Sequence, residues 1–378
     1  MTAPIIAVVG GGQLARMMAG PATEMGITLR VLVESATASA AGPAHEIIVG
    51  MPADAGVIAE LLDGVAVVTW EHEHIPPGVF SAARAAGVPA LPSAAALGFA
   101  QDKIAMRTRM DELGLPNPRW RAVATHDDVE DFLAECGSIA VLKTARGGYD
   151  GKGVRIIRSA ADADDWISAA AGWPHLLAEE LVPFSRELAV QVARRPSGET
   201  SAWPVVESTQ RNGVCAEVIA PAPHLSAHVA ERARSIALTI ASELDVVGVL
   251  AVELFQVGDD VVINELAMRP HNSGHWTMEG AVTGQFEQHL RAVLDLPLGD
   301  TSLVAPWAVM VNALGGVRQE LSAAHADIDD AGVRLHLYAK DVRPGRKVGH
   351  VTVVGDDLES ILQRARSAAD IVRDGGAS

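Results

Sequence analysis

Aromatic residues, cysteines and long apolar runs are all scarce in this chain of 378 residues. Aromatic residues make up 4% of the chain, and its two cysteines, Cys136 and Cys215, are too few for a disulfide framework or a thiolate zinc site. No apolar run reaches about 18 residues, the length that a membrane-spanning helix needs. The first residues also lack the charged start and apolar core of a signal peptide. We therefore expect an aliphatic core, reduced thiols and a cytoplasmic protein.

Positive charge is scarce as well. The chain has 30 Lys and Arg against 47 Asp and Glu, a formal net charge of −17. This balance argues against nucleic acid or an anionic membrane as a partner. With 49% apolar and 20% charged residues, the composition is that of a packed globular protein long enough for two or three domains. Small anionic substrates stay possible where basic residues cluster locally.

One stretch, residues 139–157, combines glycine with positive charge. Two apolar segments, 139–142 and 154–157, flank a loop too short for a crossover helix, which predicts an antiparallel hairpin. The loop and its edges contain Lys143, Arg146, Gly147, Gly148, Gly151, Lys152 and Gly153. Glycines let backbone N–H groups approach an anion closely, so the hairpin is predicted to cover phosphates. An ordinary solvated turn is the alternative, although such a turn needs only one or two glycines.

The first 93 residues predict a parallel α/β sheet. Strands are predicted at 5–9, 27–33, 65–69 and 89–91, with helices at 13–25 and 82–86. The first turn, Gly10-x-Gly12-x-x-Ala15, matches the dinucleotide-binding fingerprint, and Glu34 is placed for a ribose, which favours an NAD enzyme if taken alone. Residues 71–74, Glu-His-Glu-His, follow the third strand, where a metal site, a substrate contact or a solvated turn are all possible.

The rest of the chain alternates predicted helices and strands. The predicted helices cover 94–113, 127–136, 160–170, 226–244, 282–294 and 357–373. Predicted strands cover 176–179, 186–193, 202–207, 247–255 and 261–267, and residues 306–354 are expected to be mostly strand.

Two charged residues interrupt neighbouring apolar strands. Glu253 and Glu265 lie in segments joined by the turn at 258–260, and Asn264 adjoins the second of them. Buried carboxylates are costly unless they bind a cation, and carboxylate oxygens together with phosphates are the ligands that Mg²⁺ prefers. A pair of carboxylates on a wet sheet face is the alternative. Directly afterwards, residues 269–276 contain closely spaced hydrogen-bond donors suited to a small oxyanion. Residues 340–347 form a basic cluster that suggests a phosphate or carboxylate partner, and a solvated β-turn is the alternative.

In these motifs the chain resembles the ATP-grasp superfamily and, more closely, its family of N5-carboxyaminoimidazole ribonucleotide synthetases. The similarity rests on G-G-G-Q-L at 10–14, T-W-E-H-E at 69–73, Q-D-K at 101–103, the glycine loop, Glu253, N-E at 264–265, R-P-H-N-S-G-H-W at 269–276 and V-R-P-G-R-K-V-G-H at 342–350. It implies a homodimer with a mixed α/β and α+β fold. It also implies a Rossmann-like domain at 1–93, a linker helix and lid at 94–180, and a mixed-sheet ATP-grasp domain at 181–378.

The resemblance also implies a set of nucleotide-binding positions. Lysines would contact the ATP phosphates, residues 179–182 the adenine and Glu187 the ribose. Gln210 departs from the family, which often has histidine there, and Lys103 stands where arginine is common. The implied positions are Lys103, Lys143, Gly148, Tyr149, Asp150, Gly151, Lys152, Gly153, Val154, Glu179, Glu180, Leu181, Val182, Glu187, Gln210, Asn264 and Glu265, with Glu253 and Glu265 as magnesium ligands.

The implied reaction is an ATP- and bicarbonate-dependent carboxylation of 5-aminoimidazole ribonucleotide through carboxyphosphate. The catalytic residues would be Asp150, which takes the amine proton, with Lys152, Arg269, His271, Asn272 and Lys347. The ribonucleotide would meet Gln13, Leu14, Glu73, Tyr149, Ser273, Lys340, Arg346 and Lys347. The alternatives are another ATP-grasp ligase such as a formate-using glycinamide ribonucleotide transformylase, an NAD dehydrogenase, and a nucleotide-binding scaffold without activity.

Overall fold

The computed structural model describes residues 3–148, 153–169, 176–211 and 213–375. Within these ranges the strands form three sheets, of four, four and nine strands. None of the helices in the described ranges has the length and apolar character needed to cross a membrane.

The first sheet is parallel, as predicted. Its strands are β1 (Ile5–Val9), β2 (Thr28–Val33), β3 (Glu46–Val49) and β4 (Val67–Trp70), in the order β3-β2-β1-β4. The accompanying helices are α1 (Gln13–Glu24), α2 (Ala55–Leu62) and α3 (Pro77–Ala85). Helix α2 was not predicted, and neither was β3, a four-residue edge strand with three exposed residues and therefore no alternating pattern.

The strand predicted at 89–91 is wrong. Only one parallel bridge forms there, between Ala90 and Val68. Val68 donates to the carbonyl of Pro89 and accepts from Leu91. Proline at 89 and at 92 has no N–H, so the segment cannot extend this ladder on either side.

The single helix predicted at 94–113 is also wrong, because it breaks at Asp102. Two helices result, α4 (Ala94–Gln101) and α5 (Lys103–Glu112). Asp102 has an extended backbone, and its carboxylate accepts the N–H groups of Ile104 and Ala105, both at 3.0 Å. An aspartate that caps a new helix in this way starts it afresh. The break places Lys103 in the first turn of α5.

The second sheet, also of four strands, is antiparallel. Its strands are β5 (Trp120–Val123), β6 (Ala140–Thr144), β7 (Val154–Ile157) and β8 (Leu176–Glu180), in the order β5-β8-β6-β7. Helices α6 (His126–Glu135) and α7 (Asp164–Ala169) cover it, and α7 follows a 3-10 turn at Ala160–Ala163 rather than forming the one predicted helix. Strands β6 and β7 confirm the predicted hairpin.

All strand pairs described in the third sheet are antiparallel, although neighbouring strands are often not consecutive in the chain. Its strands are β9 (Arg186–Arg194), β10 (Thr200–Ala202), β11 (Val206–Arg211), β12 (Val214–Ala220), β13 (Gly248–Val257), β14 (Asp260–Ala267), β15 (Trp307–Leu314), β16 (Val333–Leu337) and β17 (Lys347–Gly355). The order is β14-β13-β9-β11-β12-β15-β17-β16, with β10 beside β9. The helices are α8 (Ala227–Glu243), α9 (Thr277–Gly280), α10 (Gln285–Val293), α11 (Ala324–Asp327) and α12 (Leu358–Asp374).

Two sequence-based expectations for this sheet need correction. Residues 315–332 contain no strand, so 306–354 is strand only in part. Strand β12 was missed, and Glu217 in its centre is 3% exposed. Arg211 and Arg366 neutralise that carboxylate. A charged residue at the centre of a strand interrupts the apolar pattern that predicts the strand, and one of the two partners that neutralise it here, Arg366, is 149 residues away along the chain.

The largest hydrophobic cluster joins the first sheet to the third. Trp70 and Leu97 belong to the same cluster as Met106 of α5 and Val252 of β13. Helix α8 packs on the third sheet through Val229, Ile236 and Ile240, which recur at helical spacing. The linker helices α4 and α5 therefore pack between the first and third sheets. This packing fixes the position of residues on these helices, including Lys103, relative to both sheets.

Candidate active site

A cavity of about 940 Å³ lies where the first sheet, the linker, the hairpin and the third sheet meet. We call it the central cavity. Its volume is at the upper end of the range for small-molecule sites. The sequence-predicted residues that line it are Gln13, Leu14, Glu73, Lys103, Gly148, Glu253, Glu265, Arg269, His271, Asn272, Lys340, Arg346 and Lys347.

Other predicted residues lie outside this lining. These are Lys143, Gly153, Val154, Glu179, Glu180, Leu181, Val182, Glu187, Gln210, Asn264 and Ser273. Tyr149, Asp150, Gly151 and Lys152 lie outside the described residues, so the predictions for them are untested.

The acidic pair of the central cavity consists of Glu253 and Glu265. Strands β13 and β14 place them directly opposite each other in the antiparallel register. Burial raises the pKa of Glu253 to about 8, and the negative charges of Glu265 and Glu187 add to the effect, whereas Lys347 and Arg269 oppose it. Like charges at paired positions destabilise a sheet. The arrangement therefore fits a bound cation.

The donor set of this pair suits magnesium better than a transition metal. No group of three or more His, Cys, Asp or Glu side chains in the described parts of the chain is arranged to hold a metal ion. Two carboxylates leave several coordination positions open, which is how Mg²⁺ is held when substrate phosphates complete its shell. The Glu-His-Glu-His segment after β4 is therefore not supported as a metal site.

The loop after β14 presents hydrogen-bond donors to the central cavity. Buried Gln285 holds both backbone groups of His271, because its Oε1 accepts from His271 N at 2.8 Å and its Nε2 donates to His271 O at 2.9 Å. The Nε of Arg269 lies 2.9 Å from Glu73 Oε1. The side-chain amide of Asn272 is buried and has no hydrogen-bond partner among the described residues. Such a cluster suits a small oxyanion.

His271 is held as a neutral ring in one tautomer. Its Nδ1 accepts from the backbone N–H of Ser273 at 3.3 Å and lies 2.8 Å from Ser273 Oγ, which in turn accepts from Gln191 Nε2 at 2.7 Å. Burial and the charges of Arg269 and Lys347 hold the pKa of His271 well below 6.5. The remaining proton is therefore on Nε2, which lies 3.7 Å from Glu253 Oε1 in the central cavity.

This tautomer can be measured. We expect ¹⁵N NMR of histidine-labelled protein to show His271 protonated at Nε2 only at pH 6.5, where an unperturbed histidine would be about half protonated at both nitrogens. The folded state disfavours the charged ring, so protonation on acidification costs stability rather than adding it. A Ser273→Ala variant keeps the backbone donor and should keep the tautomer, whereas a ring protonated at Nδ1 would contradict the assignment.

Lys143 belongs to a buried ionic group beside the central cavity. Its Nζ lies 2.7 Å from Glu179 Oε2 and donates to Asn264 Oδ1 at 3.4 Å. The other oxygen of Glu179 accepts from Arg107 Nε at 2.7 Å. Burial alone would raise the pKa of Glu179, but the charges of Arg107 and Lys143 outweigh it and hold the pKa below its ordinary value. Glu179 therefore serves as the buried counter-ion of both Arg107 and Lys143.

The remaining predicted nucleotide residues lie at or just after the end of β8, or on β9 and β11. Glu180 pairs with Arg119, with 2.7 Å between the carboxylate and Nε, whereas Leu181 is 45% exposed and Val182 is buried. Burial raises the pKa of Glu187, and a hydrogen bond from Gln210 opposes that shift. Gln210 therefore lies beside Glu187, and its Nε2 donates to Ser208 Oγ at 3.2 Å.

The glycine turn after β1 is already occupied by a carboxylate of the chain. Glu71 accepts from the backbone N–H groups of Gly12 and Ala15 at the start of α1. A dinucleotide pyrophosphate would need the same position. The turn therefore does not support the NAD alternative, although the sequence pattern favoured it. Beside it, Lys340 Nζ donates to Gln13 Oε1, which brings the basic segment onto the same wall of the central cavity.

The contact between Gly12 and Glu71 leaves no room for a side chain. A Cβ on Gly12 would lie 2.5 Å from Glu71 Oε1. We expect Gly12→Ala to displace Glu71 and to lower the free energy of unfolding by about 1–3 kcal/mol. Gly78→Ala is the control, since a Cβ there meets nothing within 4 Å. Thermal unfolding measures both, and equal stability of the two variants would contradict the role assigned to Glu71.

Family models and known proteins match nearly the whole chain. A ribonucleotide synthetase preATP-grasp domain matches residues 3–101, an ATP-grasp domain matches 108–286, and a phosphoribosylaminoimidazole carboxylase C-terminal domain matches 308–364. The N5-carboxyaminoimidazole ribonucleotide synthase of Mycobacterium tuberculosis is 47% identical over 376 residues, which cover 97% of this chain and 87% of that protein.

Solved structures agree. The N5-carboxyaminoimidazole ribonucleotide synthetase of Thermus thermophilus has a TM-score of 0.87 and 38% identity and covers 98% of each chain. The enzyme of Aspergillus clavatus, solved in complex with ADP and 5-aminoimidazole ribonucleotide, has a TM-score of 0.88 and 29% identity and covers 98% of this chain and 99% of its own.

Proposed function

Because the chain belongs to the N5-carboxyaminoimidazole ribonucleotide synthase family, we propose that ATP and 5-aminoimidazole ribonucleotide react in its central cavity. The chain is an ATP-dependent carbon–nitrogen ligase of purine biosynthesis with an ATP-grasp fold. The single observation that carries the proposal is that the central cavity brings together three groups of residues. They are the acidic pair Glu253 and Glu265, the donor loop at 269–272 and the basic segment at 340–347.

The proposed reaction has two steps. An oxygen of bicarbonate attacks the γ-phosphorus of ATP, the bond to the β-phosphate oxygen breaks, and ADP and carboxyphosphate result. The exocyclic amine of the ribonucleotide is then carboxylated, inorganic phosphate leaves, and the amine loses a proton. Positioning and charge neutralisation carry most of the catalysis in phosphoryl transfer. Water must be excluded, since carboxyphosphate hydrolyses readily.

Glu253 and Glu265 are the residues that would hold magnesium. When bound, Mg²⁺ neutralises negative charge on the phosphates of ATP. The paired register of the two carboxylates and the raised pKa of Glu253 support this role. Lys103 lies next to the pair, with its Nζ 4.0 Å from Glu265 Oε1 and donating to Gly147 O at 3.0 Å. Lys103 and Lys143 would meet the phosphates from two sides.

Residues of the second and third sheets would bind the rest of the nucleotide. We assign residues 179–182 to the adenine and Glu187, with Gln210, to the ribose, and the glycine loop with Gly148, Gly153 and Val154 to the phosphates. The ribose assignment is supported by the pairing of Glu187 on β9 with Phe255 on β13, the strand that contains Glu253. The adenine and phosphate assignments rest on the match of this part of the chain to an ATP-grasp domain.

Arg269, His271 and Asn272 would hold bicarbonate and then carboxyphosphate. The fixed Nε2–H of His271 and the unpartnered amide of Asn272 support this role, because both can donate to an oxyanion without rearrangement. Ser273 acts by orienting His271. Since His271 has its Nδ1 engaged, it serves as a donor and not as the base.

The ribonucleotide would lie against the start of α1 and the basic residues of 340–347. Gln13, Leu14 and the basic residues Lys340, Arg346 and Lys347 would meet its phosphate, and Glu73 its ribose. We propose Asp150 as the group that takes the amine proton, with Tyr149 and Lys152 beside the aminoimidazole ring of the ribonucleotide. The homodimer, the domain boundaries and the cytoplasmic location stay predictions.

The test is ADP release from purified protein with MgATP and ¹³C-bicarbonate, with and without 5-aminoimidazole ribonucleotide. We expect release to rise sharply with the ribonucleotide, and mass spectrometry to find one labelled carboxyl group in the product. A response to glycinamide ribonucleotide and formate, with none to 5-aminoimidazole ribonucleotide, would overturn the named reaction.

A further inference from the structure

Arg107 of helix α5 is a fully buried cation, with 0% of its surface exposed. Its guanidinium donates four hydrogen bonds from its three nitrogen atoms. Nε donates to Glu179 Oε1 at 2.7 Å, Nη1 to Asn117 Oδ1 at 2.9 Å and to Ile263 O at 2.7 Å, and Nη2 to Asn264 O at 2.8 Å. Arg107 therefore connects helix α5 to β8 of the second sheet and to β14, the edge strand of the third sheet.

The two carbonyls that Arg107 binds lie at an irregularity in strand β14. Glu253 pairs with Glu265, but the next residue, Leu254, pairs with Ile263, so Asn264 is an extra residue on β14. Such a bulge leaves the extra residue outside the regular ladder and redirects neighbouring side chains. Arg107 supplies the hydrogen bond that the ladder does not give to the Asn264 carbonyl.

The bulge separates two side chains that act on different partners. Asn264 accepts from Lys143, whereas Glu265 lines the central cavity opposite Glu253. We propose that Arg107 is a positioning residue for the magnesium–nucleotide site, because one guanidinium fixes the bulge that presents Glu265 and the carboxylate that orients Lys143. This inference rests on the proposed function of that site.

Only arginine meets the geometry. A guanidinium is planar and has five N–H donors in fixed directions, four of which are used here. A lysine at this position keeps the charge beside Glu179 but cannot reach both backbone carbonyls and Asn117 as well. Groups that orient a metal ligand from behind typically change metal affinity about 10–100-fold when they are replaced.

The test compares Arg107→Lys with Arg109→Lys, a conservative change in the same helix at a partly exposed arginine that pairs with Glu112. Calorimetry with MgADP measures binding without any turnover. We expect MgADP to bind about 10-fold or more weakly to Arg107→Lys, and as tightly to Arg109→Lys as to the wild type. In turnover assays the KM for ATP and the Mg²⁺ concentration at half-maximal rate should rise, while the KM for 5-aminoimidazole ribonucleotide stays unchanged.

A purely structural role gives a different result. If Arg107 only stabilises the fold, the variant lowers the melting temperature and the active fraction, and it leaves the MgADP affinity of the folded protein and each KM unchanged. That result would overturn the inference. If the wild type binds MgADP but does not carboxylate the ribonucleotide, the named reaction fails while the calorimetric comparison still decides the role of Arg107.

Discussion

A Glu253→Gln variant is expected to lose turnover by about 10²–10³-fold and at the same time to unfold at a higher temperature than the wild type when no nucleotide is present. The first effect follows from the loss of a carboxylate that would hold magnesium. The second follows because the wild-type carboxylate is buried opposite Glu265 and near Glu187, which raises its pKa to about 8.

The gain in stability has a defined pH dependence. In the folded state the pKa of Glu253 is raised from 4.5 to about 8, so the neutral form is favoured by folding. The wild type is fully stabilised below pH 4.5 and loses this contribution as the pH rises to about 8. The advantage of Glu253→Gln should therefore grow over that interval and then level off at about 1–2 kcal/mol, which is less than the full shift because the Glu253 side chain keeps 20% of its surface exposed.

Thermal unfolding between pH 5 and pH 9, without magnesium, measures this advantage. Glu231→Gln, on the exposed surface of α8, is the control and should change neither stability nor turnover. Full turnover in Glu253→Gln, or a stability advantage that does not depend on pH, would contradict the assignment of the acidic pair.

A Lys143→Met variant is expected to lose about 2–4 kcal/mol of folding free energy and most of its turnover. Removing Lys143 leaves Glu179, which is 4% exposed, with Arg107 as its remaining cation. A buried carboxylate that loses one of two counter-ions pays a desolvation cost, and the ATP phosphates would lose a positive charge as well.

The double variant Lys143→Met/Glu179→Gln separates the two effects. Neutralising Glu179 removes the stranded charge, so the double variant should regain part of the stability that Lys143→Met loses. Turnover should not return, because the lysine at the phosphates is still absent. Chemical denaturation and ADP release measure the two quantities on the same samples. Recovery of turnover together with stability would show that Lys143 acts only through the fold.

The residues that follow local patterns were predicted from the sequence. Glu253 and Glu265 stood out because each interrupts an apolar strand, and a short turn fixes their strands as neighbours. The hairpin of β6 and β7 was predicted for the same reason, since its flanking strands and glycines are contiguous. The parallel first sheet follows from alternating strands and helices.

Residues whose role depends on distant partners could not be predicted in this way. Arg107 lies between Met106 and Met110 on the buried face of α5, and a charged residue on an apolar helix face is the one signal that could have found it. Its partners Glu179 and Ile263 are 72 and 156 residues away along the chain. Glu71 likewise stood out only as part of a polar segment, because its contact with Gly12 spans 59 residues.

The carboxylate of Glu71 at the start of α1 also decides what kind of attraction a substrate phosphate meets. Two of the N–H groups at this helix end already donate to Glu71, whose negative charge lies beside them. The helix end therefore attracts an incoming anion only weakly. In the binding mode that we propose, attraction then comes from side-chain cations such as Arg346, and the field of such groups is screened over about 8 Å at physiological ionic strength. We therefore expect capture of the ribonucleotide at low concentration to weaken as the salt content of the medium rises.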